Sequence, residues 1–215
     1  VPNENTSIPS GILLVLSAPL GVGKRTLCQA LLDRHPEARL SISMTTRPRG
    51  PREVEGYDFY FVDESEFKKQ IAEGKFLEHV QINGHFYGTP RPAIVENITA
   101  GRDVVLDVDT DGARVVKKAF PEALRVFISP ASSESLEARL KALDPGSPEE
   151  WPQRLIRARE EIAHAGEYDY VVLSDTLVET AEEISAILRA EHRRAARAVR
   201  GIEGLLRVGT NVLER

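Results

Sequence analysis

Five short apolar runs recur along the chain, at 12–16, 40–43, 103–108, 124–129 and 170–174, each bounded by polar or turn-forming residues. Their length and their Val, Ile and Leu content predict strands buried on both faces; a half-exposed strand would alternate apolar with polar residues. Between the runs, apolar residues recur at helical spacing. This predicts helices over 92–99, 112–120, 134–143, 153–164 and 177–198, and one more in TLCQALLDRHP, where Leu27, Ala30 and Leu31 share a face and Pro36 ends the pattern. Strands alternating with helices predict an α/β fold: a five-stranded parallel sheet core flanked by helices.

Two segments break the rhythm. In 44–90, TTRPRGPRE is rich in Pro and Arg, and DESEFKKQIAEGK reads as a helix with Asp63 and Glu66 at capping spacing and Gly74 closing it. FLEHVQINGHFYGT reads as a hairpin around Asn83-Gly84. Together they predict an α+β lobe inserted into the core. The polar stretch LDPGSPEEWP, before an arginine-rich helix, reads as a lid. The expected division is a tail over 1–10, a core over 11–43, 91–142 and 160–200, a lobe over 44–90, a lid over 143–159 and a basic C-terminal tail over 201–215. No internal repeat or low-complexity tract appears.

Composition narrows the class. With 41% hydrophobic and 28% charged residues the chain is an ordinary globular protein, and its net charge of −5 offers no global basic field for nucleic acid. Cys28 is the single cysteine, which excludes an intramolecular disulfide or a cysteine zinc cluster; a small core residue in a reducing compartment is expected. The first ten residues carry Glu4 and no Lys or Arg, wrong for a secretory leader, and no apolar run could span a membrane. The expectation is a cytoplasmic protein with no membrane or nucleic-acid partner. The histidines show no metal-ligand spacing, and Trp151 reads as a packing anchor.

The chemistry concentrates after the first run, in LSAPLGVGKRT. The general phosphate-loop pattern is G-x-x-x-x-G-K-[ST] between a strand and a helix. Here Ala18 stands at the first glycine, Gly23 and Lys24 are in place, and Arg25 takes the metal-facing hydroxyl's position, with Thr26 after it. Backbone N–H groups of such a loop, with the following helix N-terminus, converge on phosphate oxygens. Lys24 would reach the outer phosphates. Asp107, at the end of a predicted strand, is placed to hold Mg²⁺ through water. A core with two flaps suits an enzyme that excludes water while moving a phosphoryl group.

Over residues 12–195 the chain resembles the guanylate kinase family. The resemblance rests on SAPLGVGK, SISMTTR, Glu53-Val54-Glu55-Gly56, FLEH, FYGT, LDVDTDG and EYDYVVLSD, in that order. It implies ATP as co-substrate, Mg²⁺, and GMP as the acceptor converted to GDP. ATP would lie along Ala18, Pro19, Leu20, Gly21, Val22, Gly23, Lys24, Arg25 and Thr26, with Ser174 near the adenine. Thr26 and Asp107 would attend the metal. For GMP the resemblance implies Arg47 and Tyr87 at the phosphate with Glu53 near it, and Phe59 where the family carries a tyrosine. It implies Glu78 reading the guanine N–H donors, with Ser43, Thr89 and Asp109 around the base and Asp107 nearby. Arg139 and Arg154 would close over the transferring group as catalytic cations beside Lys24 and Arg47.

Several positions depart from the family pattern: Leu20 for a loop serine, Arg25 for a hydroxyl residue, Gly50 for a second phosphate-gripping arginine, Phe59 for a tyrosine, Asp111 for a glutamine, Leu143 for a lid arginine and Ser174 for an asparagine. Arg49 and Arg52 flank Gly50 and are candidates to replace its missing cation. These departures keep two alternatives open: a non-catalytic module of this fold that binds a phosphorylated ligand, and a kinase with a different phosphorylated acceptor. Arg193, Arg194, Arg197 and Arg200 form a local basic patch, read as a solvated helix face or a homo-oligomer contact.

Overall fold

The computed structural model describes residues 11–19, 22–143, 151–173 and 175–198. The expected tails at 1–10 and 201–215, the loop residues Leu20 and Gly21, the lid segment 144–150, Ser174 and Arg200 lie outside the described residues, as does the side chain of Leu143.

The core strands are β1 (Leu13–Ser17), β2 (Arg39–Leu40), β7 (Val104–Asp107), β8 (Leu124–Ser129) and β9 (Tyr170–Leu173). They pair in the order β2-β7-β1-β8-β9, with every pairing parallel. β1 is central and buried throughout, and its alternate side chains enter two different cores. Leu14 and Leu16 pack among Leu27 and Leu31 of α1 (Lys24–Arg34) and Ile184 and Leu188 of α7 (Leu177–His192). Leu13 and Val15 pack on the other face, among Ile94 and Ile98 of α3 (Arg91–Thr99) and Ala113 and Val116 of α4 (Thr110–Ala119). Helices on both faces are why the strand reads as an unbroken apolar run.

The inserted lobe has its own sheet, in the order β4-β3-β6-β5, built from β3 (Met44–Thr45), β4 (Tyr60–Phe61), β5 (Phe76–Ile82) and β6 (His85–Pro90). β5 and β6 form the expected hairpin: Asn83 and Gly84 both take positive φ, 50° and 82°, which the right-handed twist of the flanking strands requires of a two-residue turn. α2 (Glu64–Ala72) starts on Asp63, whose carboxylate accepts the Glu66 N–H at 2.8 Å. The helix lays the fully buried Phe67 onto the lobe sheet, with ring centroids 4.4 Å from Phe76 and 5.4 Å from Phe86. Phe67→Ala is therefore expected to cost about 3–5 kcal/mol, read as a lowered urea midpoint.

A second helical pair, α5 (Ser133–Leu143) and α6 (Trp151–Ala163), shares a small core of Leu136, Leu140 and Ala158, with Trp151, Leu155 and Ile162 packed against it. The short helix α8 (Ala195–Ala198) follows α7.

Two expected element boundaries are corrected, and a third expected division meets a continuous helix. The strand expected over 40–43 pairs with β7 only at Arg39 and Leu40; after Ser41 donates to Val105 the chain leaves for the lobe, whose first strand starts at Met44. The helix expected over 177–198 stops at His192, where Arg193 caps it and donates back to Ala190, and a short helix begins anew at Ala195. The boundary expected between 159 and 160 falls inside α6, which is continuous through Ala163 because Ala158 and Ile162 face the same small core. Among the described residues no helix is long and apolar enough to cross a membrane.

Candidate active site

The site lies at the carboxyl ends of β1 and β7, where a parallel sheet with reversed strand order leaves a crevice. β1 delivers the phosphate loop there, and α1 leaves from it. Gly23 caps α1 at φ 77°, a left-handed conformation that glycine adopts without a Cβ clash. Lys24 Nζ stands 3.0 Å from Asp107 Oδ1 and donates to the Val108 carbonyl at 3.4 Å. The ammonium is thus fixed by the end of the neighbouring strand. Asp109 caps α4, accepting the Gly112 N–H at 2.8 Å, and Ser17 donates to the Asp109 carbonyl at 3.4 Å.

Between β7 and the lobe opens a cleft of about 660 Å³, whose lining includes Ser43, Phe59, Glu78, Tyr87, Asp107 and Asp109. Thr89 is buried and donates to Glu78 Oε1 at 2.6 Å. Burial pushes the Glu78 carboxyl above its ordinary value, opposed by the Thr89 hydroxyl and reinforced by Asp109. A half-buried, partly desolvated carboxylate with one fixed hydroxyl partner is suited to two convergent N–H donors from a base.

Arg47, paired with Glu53, meets this cleft through its lining residue Phe59. Arg47 donates to Glu53 from Nη1 at 2.9 Å and Nη2 at 2.6 Å, and from Nη1 to the Pro48 carbonyl at 3.0 Å. Glu53 also accepts the Gly50 N–H at 2.7 Å, and Arg47's guanidinium holds its carboxyl below the usual range, helped by that amide. The guanidinium stacks 5.6 Å from the Phe59 ring and 5.9 Å from Phe61. Beyond these three hydrogen bonds the guanidinium also meets the Tyr87 hydroxyl. Gly50 carries no cation. Arg49 and Arg52 are exposed and find no partner among the described residues. Tyr60 turns away from Phe59, as strand alternation expects, and lines a separate crevice with Leu40 and Pro90.

On the lid side, Arg139 of α5 pairs with Asp175 at 3.7 Å. Asp175 accepts from the Ser135 hydroxyl and the Ala131 N–H, so its carboxyl is held below the usual range. Arg154 is on α6, half-buried. Thr26 is exposed on the first turn of α1. Among the described residues no three acidic, His or Cys side chains converge as a metal cage.

Arg25 is where the sequence is least informative. Its Nη2 pairs with Asp58 Oδ1 at 2.6 Å and donates to the Tyr57 carbonyl at 3.3 Å, and its guanidinium lies 5.4 Å from the Tyr57 ring centroid. The side chain leaves the phosphate loop and crosses to the lobe. Asp58, Tyr57 and Asp175 were not among the expected functional residues. Asp58 and Tyr57 lie in a separate element from Arg25, and no local pattern joins them.

The comparisons agree with this geometry. The guanylate kinase family model matches residues 10–191. The chain is 44% identical over 197 residues to a guanylate kinase of Symbiobacterium thermophilum, covering 92% of each protein. It is 45% identical over 179 residues to one of Nostoc sp., covering 83% of this chain and 90% of that protein. The crystal structure of guanylate kinase from Anaplasma phagocytophilum superposes with a TM-score of 0.69 at 34% identity, covering 89% of this chain and 90% of that one. With the family model matching residues 10–191 and these relatives covered nearly end to end, the chain belongs to the guanylate kinase family.

Proposed function

We infer that this protein transfers the terminal phosphoryl group of ATP to GMP, yielding ADP and GDP. The observation that carries the reading is the shared cleft. Asp107, 3.0 Å from Lys24, and Glu78, 2.6 Å from the buried Thr89 hydroxyl, line the same cleft, one from the core and one from the lobe.

The roles follow from the chemistry of each group. The loop amides and Lys24 hold the donor phosphates. Glu78 accepts N1–H and N2–H of guanine, a donor pair that adenine lacks. Arg47, aimed by Glu53 and by the Phe59 face, grips the acceptor phosphate together with the Tyr87 hydroxyl that stands beside it. An acceptor phosphate oxygen forms its bond to the γ-phosphorus while the bond to the β-bridging oxygen breaks and ADP leaves. No general base is needed, because that oxygen is already ionised. Arg139 and Arg154 neutralise charge spread over the transferring group. The lid that brings them is α5 with α6, moving as one unit around their shared core, so it extends beyond 159. Asp107 suits Mg²⁺ held through water, since a lone carboxylate beside a phosphate loop leaves this cation its hydration and the substrate oxygens. Bound there, Mg²⁺ would neutralise phosphate charge, and Thr26 would offer a hydroxyl from the first turn of α1.

A non-catalytic module would be favoured by a cation crowding the metal position, but Arg25 is engaged by Asp58 instead. The test is ADP production from Mg-ATP with GMP, AMP, CMP, UMP or no acceptor. GMP-selective turnover is expected; no turnover, or equal turnover with AMP, would refute the reading. Arg47→Lys is expected to lower kcat/KM for GMP by about tenfold to a hundredfold and leave KM for ATP unchanged, because an ammonium cannot hold Glu53 and phosphate in one plane.

A further inference from the structure

We propose that Arg25 is a positioning residue, a latch that ties the acceptor lobe to the donor helix before any substrate binds. This rests on the reading of 44–90 as the acceptor lobe. Four contacts make the tie: the Asp58 ion pair at 2.6 Å, the Tyr57 carbonyl at 3.3 Å, the Tyr57 ring at 5.4 Å, and a Tyr57 hydroxyl donating to Gln29 at 3.1 Å. Arg25 and Gln29 are one helical turn apart on α1, so both hold the same lobe segment.

The lobe side of the tie is stiff. The other oxygen of Asp58 accepts the Val54 N–H at 2.7 Å, and Gly56 donates to the Phe59 carbonyl at 2.9 Å. Phe59, one residue beyond Asp58, lines the acceptor cleft and stacks on Arg47. A pull on Asp58 therefore reaches the phosphate grip through a short, internally bonded loop. At its other end the latch neighbours Lys24. Arg25 thus links the donor cation to the acceptor cation through protein alone, at a position where the general phosphate-loop pattern has a metal-facing hydroxyl.

A lobe already drawn toward α1 needs less ordering when GMP arrives, which lowers KM, and resists opening afterwards, which slows product release. Exposed ion pairs are weak and salt-sensitive, so the latch biases a population and does not lock it.

The experiment places spin labels on cysteines introduced at Glu37 and Lys68, exposed positions on the core and on α2, and measures the distance between them in the ligand-free full chain. Cys28 needs no replacement, since it is buried and burial pushes its thiol up to about 12. With Arg25 present, a short, narrow distribution is expected that lengthens in high salt. Arg25→Ser and Arg25→Gln are expected to lengthen and broaden it at low salt, to abolish the salt response, and to raise KM for GMP about threefold to tenfold with kcat unchanged or higher. A purely structural role would lower stability and kcat without moving the ligand-free distance. Identical distributions with and without Arg25 would overturn the latch. A distance that responds to Arg25 in a protein that does not phosphorylate GMP would support the latch while refuting the kinase reading.

Discussion

Replacing Lys24 with alanine is expected to lower kcat by about a hundredfold to a thousandfold, with KM for GMP little changed. The transferring phosphoryl group spreads negative charge over its oxygens, and a fixed cation already in position offsets that charge without reorganising. Lys24 is fixed in this way: its Nζ is held by Asp107 at 3.0 Å and by the Val108 carbonyl at 3.4 Å, both at the end of β7. Its removal also leaves the Asp107 carboxylate facing the donor phosphates uncompensated, which adds repulsion to the lost attraction. The pair is partly exposed, at 23% and 33% of the side chains, so its share of folding stability is small and the variant should unfold within a few degrees of the parent. Steady-state kinetics with a thermal melt checks both. Activity within about threefold of the parent, in folded protein, would remove Lys24 from the catalytic roles.

The second large effect is expected at Glu78. Glu78→Gln should reduce kcat/KM for GMP by about a hundredfold to a thousandfold, because an amide cannot accept from both guanine donors and its own N–H₂ meets one of them. The cleft also makes a pH prediction. Burial raises the Glu78 carboxyl above its ordinary value, so ionised Glu78 disfavours the folded, empty protein. A raised carboxyl contributes stability below its unfolded value, and that contribution is lost as pH rises through the folded value. E78Q should therefore be more stable than the parent at neutral pH and not in acid. GMP binding runs the other way: it uses the ionised form, so affinity should fall as pH drops through the raised value. The phosphate's own second ionisation, near 6, acts on both proteins and cancels in the ratio of parent to E78Q affinities. Calorimetric titration with GMP from about pH 5 to 8 reads that ratio. A ratio independent of pH would show that Glu78 does not meet the base as a carboxylate.

The same cleft explains how the chain tolerates its departures from the family pattern. In the proposed function the cation missing at Gly50 leaves Arg47 as the paired one of the segment. Gly50's own N–H anchors Glu53, Glu53 holds Arg47 by two hydrogen bonds, and Phe59 supplies a flat face in place of a hydroxyl. Arg49 and Arg52 stay exposed beside it.

The local features were legible in the sequence because each depends on a few neighbouring residues. The apolar run of β1 signals burial on both faces. Gly23-Lys24 between a strand and a helix signals a phosphate loop. Asp63 three residues before Glu66, and Asn83 beside Gly84, specify a cap and a turn whose geometry is set by their own backbone. Pattern alone could not say where the strand expected at 40–43 ends, because Leu-Ser-Ile-Ser carries no turn signal after Leu40. Nor could it show the helix stopping at His192. What only the tertiary structure decided is the partner of each charge. Lys24 finds the Val108 carbonyl 84 residues away, Arg25 finds Tyr57 32 residues away, and Arg139 finds Asp175 on another element. The direction of the Glu78 shift likewise depends on how far folding withdraws it from water. A charge acts through space and through the solvent that folding removes, so its partner is known only once distant segments have been brought together.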